Sequence, residues 1–127
     1  MDSLNRTMAE NLMRVHRAGI PIAMGTDAGN PLTLHGPAIY AEMETMQRDG
    51  MTPMDVIVSA TRNGARAMGR DAEFGTIAPG KAADLLIVAA DPTRDVANLR
   101  RVAGVVRGGV ARSLAEMQAA IRQAGAR

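Results

Sequence analysis

The stretch Gly19-Ile20-Pro21-Ile22-Ala23-Met24-Gly25-Thr26-Asp27-Ala28-Gly29 decides how this 127-residue chain folds. Residues 20–24 form a short apolar run between two glycines, a pattern that predicts a buried strand of the parallel type. Residues 25–31 are rich in turn-forming side chains, so the strand is expected to end there. This places a carboxylate, Asp27, at the C-terminal end of a buried strand.

Helices are predicted on both sides of this strand. Upstream, apolar residues recur at helical spacing from residue 3 to residue 18, and Gly19 supplies a C-terminal stop. Downstream, a second helix begins at Pro37 and ends at Gly50. Thr52 is expected to cap a third helix, which Asn63-Gly64 should interrupt. The predicted inner face of the first helix consists of Leu4, Met8, Leu12 and Val15.

The chain becomes rich in short strands after residue 69. Residues 75–77, 83–88 and 102–107 are strand-like pieces, residues 78–81 match a type II turn, and Gly108-Gly109 is a second reversal point. Residues 113–116 form a capping box that opens a last helix, with Leu114, Met117 and Ile121 on its inner face. The order of elements predicts an α/β chain.

Composition narrows the class of protein. The chain is 46% hydrophobic and 22% charged, as in a soluble globular protein. Its core must be built with one Phe, one Tyr and no Trp, and ten Met make that core adaptable. The absence of cysteine excludes disulfides, a thiol nucleophile and a cysteine metal site.

Charge and hydropathy argue against two kinds of partner. The net charge is +2, and the basic residues are scattered among acidic ones with few aromatic rings to stack on bases, so nucleic-acid binding is not expected. No signal-like segment stands at the start, and no stretch approaches the ~20 apolar residues that span a bilayer. A cytoplasmic protein without a membrane partner is the expectation.

Asp27 is the residue whose position suggests chemistry. In a parallel α/β framework, catalytic groups gather at the C-terminal ends of the strands. A carboxylate there can bind a divalent cation and take a proton from metal-bound water. It can equally stabilise the turn through its own side chain. Placement alone leaves these two interpretations balanced.

Several motifs in a fixed order resemble the amidohydrolase superfamily, especially its imidazolonepropionase-like and Xaa-Pro-dipeptidase-like members. Residues 19–29 look like its eighth barrel strand. Matching motifs follow at Asn30-Pro31, Leu34-His35-Gly36, residues 51–54, 60–63 and 75–85, Asp91-Pro92 and 102–109. The resemblance covers roughly residues 10–110.

This resemblance implies the C-terminal part of a (β/α)8 barrel together with strands of a small composite β-sandwich. The corresponding boundaries are residues 1–69 for the barrel part, 70–112 for the sandwich segment and 113–127 for a C-terminal helix. It further implies a metal-dependent hydrolase of C–N bonds in amide, cyclic amide or dipeptide-like substrates. Asp27 would be a metal ligand and the general acid and base, and zinc is the metal expected in the complete enzyme.

The resemblance also has a gap, because the family's His-x-His pair, bridging lysine and later histidine ligands have no counterpart here. His16 does not match a ligand position. His35 and Asn30 follow Asp27 in the same loop and are candidate substrate-binding residues, against a turn-stabilising or solvated role. Since a catalytic zinc usually needs three protein ligands, the chain alone is expected to be inactive and not to hold metal stably.

Three functional hypotheses follow. The first is the C-terminal portion of a metal-dependent hydrolase, which is either a fragment, a truncated or misannotated reading frame, or a piece that assembles with another chain. The second is a non-catalytic remnant that acts as an oligomerising or partner-binding module, since an unpaired strand invites pairing with another copy. A basic nucleic-acid binder is the weakest of the three.

Overall fold

A computed structural model describes residues 3–31 and 33–125 of the chain. Its elements are α1 Ser3–Arg17, α2 Pro37–Arg48, α3 Pro53–Ala60, α4 Arg62–Ala67, β1 Leu85–Val88, a 3-10 helix at Val96–Arg100, β2 Val102–Arg107, β3 Val110–Ser113 and α5 Leu114–Gly125. None of the helices in these described ranges is long and apolar enough to cross a membrane.

The predicted helix boundaries are confirmed wherever a capping residue marks them. Pro37 is the first residue of α2, and Gly50 follows the helix with φ +119°, a conformation that glycine adopts without strain. The Thr52 hydroxyl accepts the backbone N–H of Asp55 and caps α3. These local signals act within one helical turn, which is why the sequence alone reveals them.

The core consists of helix side chains packed against the 3-10 helix. Gln47 joins α2 to the 3-10 helix, since its Oε1 accepts the Val96 N–H at 2.8 Å. The fully or nearly buried apolar residues of this cluster are Met43, Met46, Met51, Val56 and Val96. The core is therefore largely methionine and valine, as the composition predicts.

Two predicted inner faces are only partly covered. On α1, Leu12 packs against the core, whereas Leu4 and Met8 are 67% and 60% exposed. On α5, Ile121 is 71% exposed. Helical spacing correctly identifies an apolar stripe but not whether another element of the same chain covers it.

The three strands form one antiparallel sheet in the order β1-β2-β3. Gly108 and Gly109, with φ +56° and +83°, make the tight turn between β2 and β3. The Gly108 N–H donates to the Asp84 carboxylate at 2.7 Å. The predicted turn at residues 78–81 is also present, with Gly80 at φ +83° and a Lys81 N–H to Ala78 carbonyl bond.

Three predictions are corrected by the structure. Residues 75–77 form no strand, and Ile77 is 88% exposed. The break between α3 and α4 lies at Thr61, two residues before Asn63-Gly64. Residues 20–24 are extended but belong to no sheet, because a strand needs a hydrogen-bonded neighbouring strand and here the helix break lies beside them. The barrel itself is thus not seen in the described residues.

Candidate functional site

The extended segment formed by residues 20–28 carries the candidate site and is called here the Asp27 segment. Ile20 is 55% exposed, and from residue 21 to residue 28 the side chains alternate in exposure, as in a strand with one face covered. Ile22 and Met24 pack against the helical core. Pro21, Ala23 and Asp27 face outward and are exposed. The alternation carries Asp27 to the open face of the segment.

The backbone at Asp27 is unusual. Among the described residues, Asp27 is the only one other than glycine with a positive φ, at +48°. Aspartate and asparagine enter this left-handed region more readily than other side chains, because their short polar groups bond locally. Such conformations concentrate at functional sites, where surrounding contacts hold them in place.

Asn30 supplies that surrounding contact. Its Nδ2 donates to the Asp27 carboxylate at 2.6 Å and to the Asp27 backbone carbonyl at 3.0 Å. One amide group therefore fixes both the side chain and the backbone of Asp27. The donor of Asn30 is engaged in this contact, so a substrate contact by Asn30 would have to use its amide oxygen.

His35 belongs to the same loop. The loop closes through the Gly29 N–H to Thr33 carbonyl bond at 3.1 Å and the Thr33 N–H to Asn30 carbonyl bond at 3.0 Å. A Cβ added at Gly29 would lie 3.4 Å from the His35 Nε2. The exposed imidazole thus rests beside Gly29, two residues from Asp27. The structure places the three predicted residues Asp27, Asn30 and His35 in one loop, which is called here the Asp27 loop and whose described residues are 27–31 and 33–35.

His16 lies elsewhere, on α1. Its Nε2 is 3.4 Å from the Asp55 carboxylate, which also accepts the Thr52 hydroxyl. This contact joins α1 to the start of α3 and does not include any residue of the Asp27 loop. That His16 is not a metal ligand stays a prediction.

The described residues offer few side chains near Asp27 that could bind a metal ion. Within residues 3–31 and 33–125, no group of three or more His, Asp, Glu or Cys side chains could hold a metal ion. Asp27 is a suitable oxygen donor and His35 a suitable nitrogen donor, but a catalytic zinc usually needs three protein ligands. The described residues by themselves do not complete such a site.

Sequence reasoning missed two residues that hold the Asp27 segment. The Ser59 carbonyl accepts the Met24 N–H at 3.2 Å, and the Asn63 Nδ2 donates to the Ile22 carbonyl at 2.9 Å. The sequence places Asn63 in a helix interruption and in the matching motif at residues 60–63, but neither predicts this contact. An asparagine at such an interruption, with side-chain donors to satisfy, was the available signal.

Comparisons with known proteins identify the class. The model of the amidohydrolase family matches residues 2–112, and this chain belongs to that family. It is 34% identical over 112 residues to the imidazolonepropionase of Ralstonia nicotianae, which covers 84% of this chain and 27% of that protein.

Solved structures show the same relationship. A Xaa-Pro dipeptidase with bound methionine in its active site superposes with a TM-score of 0.74 at 32% identity, over 83% of this chain and 25% of that one. Molinate hydrolase gives a TM-score of 0.74 at 31% identity, over 81% of this chain and 26% of that one. The chain thus spans about a quarter of the length of these relatives.

Proposed function

We propose that this chain is part of a metal-dependent hydrolase that cleaves C–N bonds, with Asp27 as one metal ligand and as the general acid and base. The observation that carries the proposal is the outward-facing Asp27 carboxylate, at φ +48° and held by the Asn30 amide.

Asp27 would accept a proton and then donate it during the reaction. A carboxylate beside the attacking water can accept the water's proton as the carbonyl carbon is attacked. The same group can then return that proton to the departing nitrogen, so that a neutral amine leaves. This use requires the carboxylate to keep one direction throughout, which the contact with Asn30 supports.

The metal ion and its other ligands are the remaining requirements of the reaction, and the described residues do not supply them. When bound, a divalent metal polarises the carbonyl and makes the attacking water more acidic. Zinc is the proposed ion, with Asp27 as one ligand and the other ligands supplied by a longer form of the protein or by a second chain. Chain association through a homo-oligomer or with the missing portion is therefore part of the proposal, and the proposed location is the cytoplasm.

The proposed substrate is a small amide, cyclic amide or dipeptide-like molecule. The relatives named imidazolonepropionase and Xaa-Pro dipeptidase support this class. His35 stands exposed in the Asp27 loop and is proposed to contact the substrate. Asn30 is proposed to approach the substrate through its amide oxygen.

A second candidate function is a non-catalytic module that binds another copy or a partner. Large apolar side chains on several elements favour it, including Leu4 on α1, Met68 after α4 and Ile121 on α5, each more than 60% exposed. Only a contiguous apolar patch marks an interaction surface, so this candidate requires that several of these side chains meet on one face of the assembled protein.

Metal removal and restoration test the proposal. A longer or assembled form that hydrolyses an amide should lose that activity on chelation and regain it with Zn²⁺. Hydrolysis that is indifferent to chelation would contradict the proposal. For the 127-residue chain alone, equilibrium dialysis against Zn²⁺ with light scattering should give less than stoichiometric tight binding. Stoichiometric tightly bound zinc in a monomer would contradict the incomplete ligand set.

A further inference from the structure

Asn63 reaches the Asp27 segment from a distant part of the chain. It is the second residue of α4, and its Nδ2 donates to the Ile22 carbonyl at 2.9 Å in a part-buried contact between residues 41 apart in sequence. Four residues earlier, the Ser59 carbonyl accepts the Met24 N–H.

We propose that Asn63 is a positioning residue that, with the Ser59 carbonyl, fixes the register of the Asp27 segment and thereby the direction of the Asp27 carboxylate. The importance of that direction for catalysis rests on the proposed function. The register itself does not depend on whether Asp27 binds a metal.

The geometry of an extended chain explains why two contacts suffice. The carbonyl of Ile22 and the N–H of Met24 flank residue 23 and point to the same edge of the segment. A neighbouring strand would present a donor and an acceptor to this pair. Here the Asn63 side-chain amide is the donor and the Ser59 carbonyl is the acceptor, so the helix break takes the place of a strand on this edge.

The break at Thr61 makes this arrangement possible. Thr61 has φ −124° and ψ −85°, outside the helical range, and its hydroxyl donates back to the Ile57 carbonyl at 2.7 Å. In an uninterrupted helix the Ser59 carbonyl would accept the N–H of residue 63. Because the helix stops, that carbonyl accepts the Met24 N–H instead.

An ordinary helix-capping role does not account for Asn63. The residue preceding α4 is Thr61, and no side-chain cap bond is made there. Asn63 lies one residue inside the helix, and its amide donates away from the helix to the Asp27 segment. A capping side chain would instead accept an N–H of its own first turn.

A shift of the segment by one residue would reverse its faces. Side chains of an extended segment alternate, so such a slip would turn Asp27 toward the core and expose Ile22 and Met24. Asp27 lies five residues after the carbonyl that Asn63 holds. The Asn63 contact therefore selects which face carries the carboxylate.

The variant Asn63→Asp tests the positioning role of Asn63, because it replaces the amide donor by a carboxylate facing the Ile22 carbonyl. The measurement is nuclear magnetic resonance on the isotope-labelled 127-residue chain. We expect exchange of the Met24 amide to accelerate by about tenfold. The resonances of the Asp27 carboxyl carbon and of the Asn30 side-chain amide should also shift. Asn98→Asp is the matched control, because Asn98 likewise donates to a backbone carbonyl, that of Asp91, at 2.8 Å.

The result that overturns the proposal is a loss of stability in Asn63→Asp with the Asp27 and Asn30 resonances unmoved, since a merely structural contact would behave in that way. If this variant does not fold, the wild-type chain provides the test. The Met24 amide should exchange about tenfold more slowly than those of Ala23 and Gly25, which point to the opposite edge. Equal rates would overturn the proposal. Neither measurement requires metal or activity, so failure of the proposed function would be seen separately.

Discussion

The side-chain amide of Asn30 contacts Asp27 twice, at 2.6 Å from its carboxylate oxygen Oδ2 and at 3.0 Å from its backbone carbonyl oxygen. Asp27 is the described non-glycine residue with positive φ, so this double contact lies where the backbone needs support. These two hydrogen bonds give the exposed Asp27 carboxylate a defined direction.

Replacing Asn30 should therefore affect catalysis more than folding. If Asp27 has the proposed role, Asn30→Ala in a longer or assembled form with measurable hydrolysis should lower kcat/KM by about 10–100-fold, the usual cost of losing a partner that orients a metal ligand. Unfolding in urea should change by less than about 1 kcal/mol, because the contact is exposed. Asn11→Ala, on the exposed face of α1, is the matched control, and equal activity of the two variants would contradict the orienting role.

Gly75 should not tolerate a side chain. A Cβ there would lie 2.6 Å from the Cβ of Ala65, and its φ is +93°. Gly80 has a similar φ of +83° but open space around it. Gly80→Ala should cost about 1–2 kcal/mol from backbone strain alone, and Gly75→Ala about 1–3 kcal/mol more from overpacking. Equal costs in chemical denaturation would show that the contact with Ala65 relaxes freely.

Stability should fall in acid, partly through the ion pair between α2 and the 3-10 helix. Hydrogen bonds from Arg100, whose Nε lies 2.5 Å from Oε1, hold the pKa of Glu44 below its ordinary value of 4.5. A carboxyl with a lowered folded-state pKa stabilises the fold fully above 4.5, and this contribution is lost as pH falls through the folded-state pKa. The free energy of unfolding, measured across this pH range, should therefore fall less steeply toward acid in Glu44→Gln than in the wild type. Glu42→Gln, on the same helix, is the control, and an identical acid limb in wild type and Glu44→Gln would contradict the coupling.

The sequence predicted features whose causes are local. The capping box is one, since the Ser113 N–H and hydroxyl both bond to the Glu116 carboxylate at 2.7 Å. The glycine turn between β2 and β3 is another. In each case the residues that interact are within a few positions of one another, so the pattern contains the whole interaction.

Features that depend on distant partners were harder to predict. Residues 20–24 have the composition of a buried strand, but pairing requires a neighbour that composition does not supply. The Asn63 contact with Ile22 spans 41 residues. For the site, the sequence predicted that Asp27, Asn30 and His35 share a loop. The positive φ of Asp27 and the two hydrogen bonds that Asn30 donates to Asp27 arise from loop geometry and were seen only in the structure.

The most direct test of the account is Asp27→Asn in a longer or assembled form with measurable hydrolysis. Asparagine adopts positive φ readily and can still accept the Asn30 amide, so the free energy of unfolding should change by less than about 0.5 kcal/mol. Hydrolysis should fall by about 10²–10⁴-fold, the cost of removing a general acid and base. Asp71→Asn, at an exposed position, should leave both quantities unchanged. Hydrolysis by Asp27→Asn within a few-fold of the parent would contradict the assignment of Asp27.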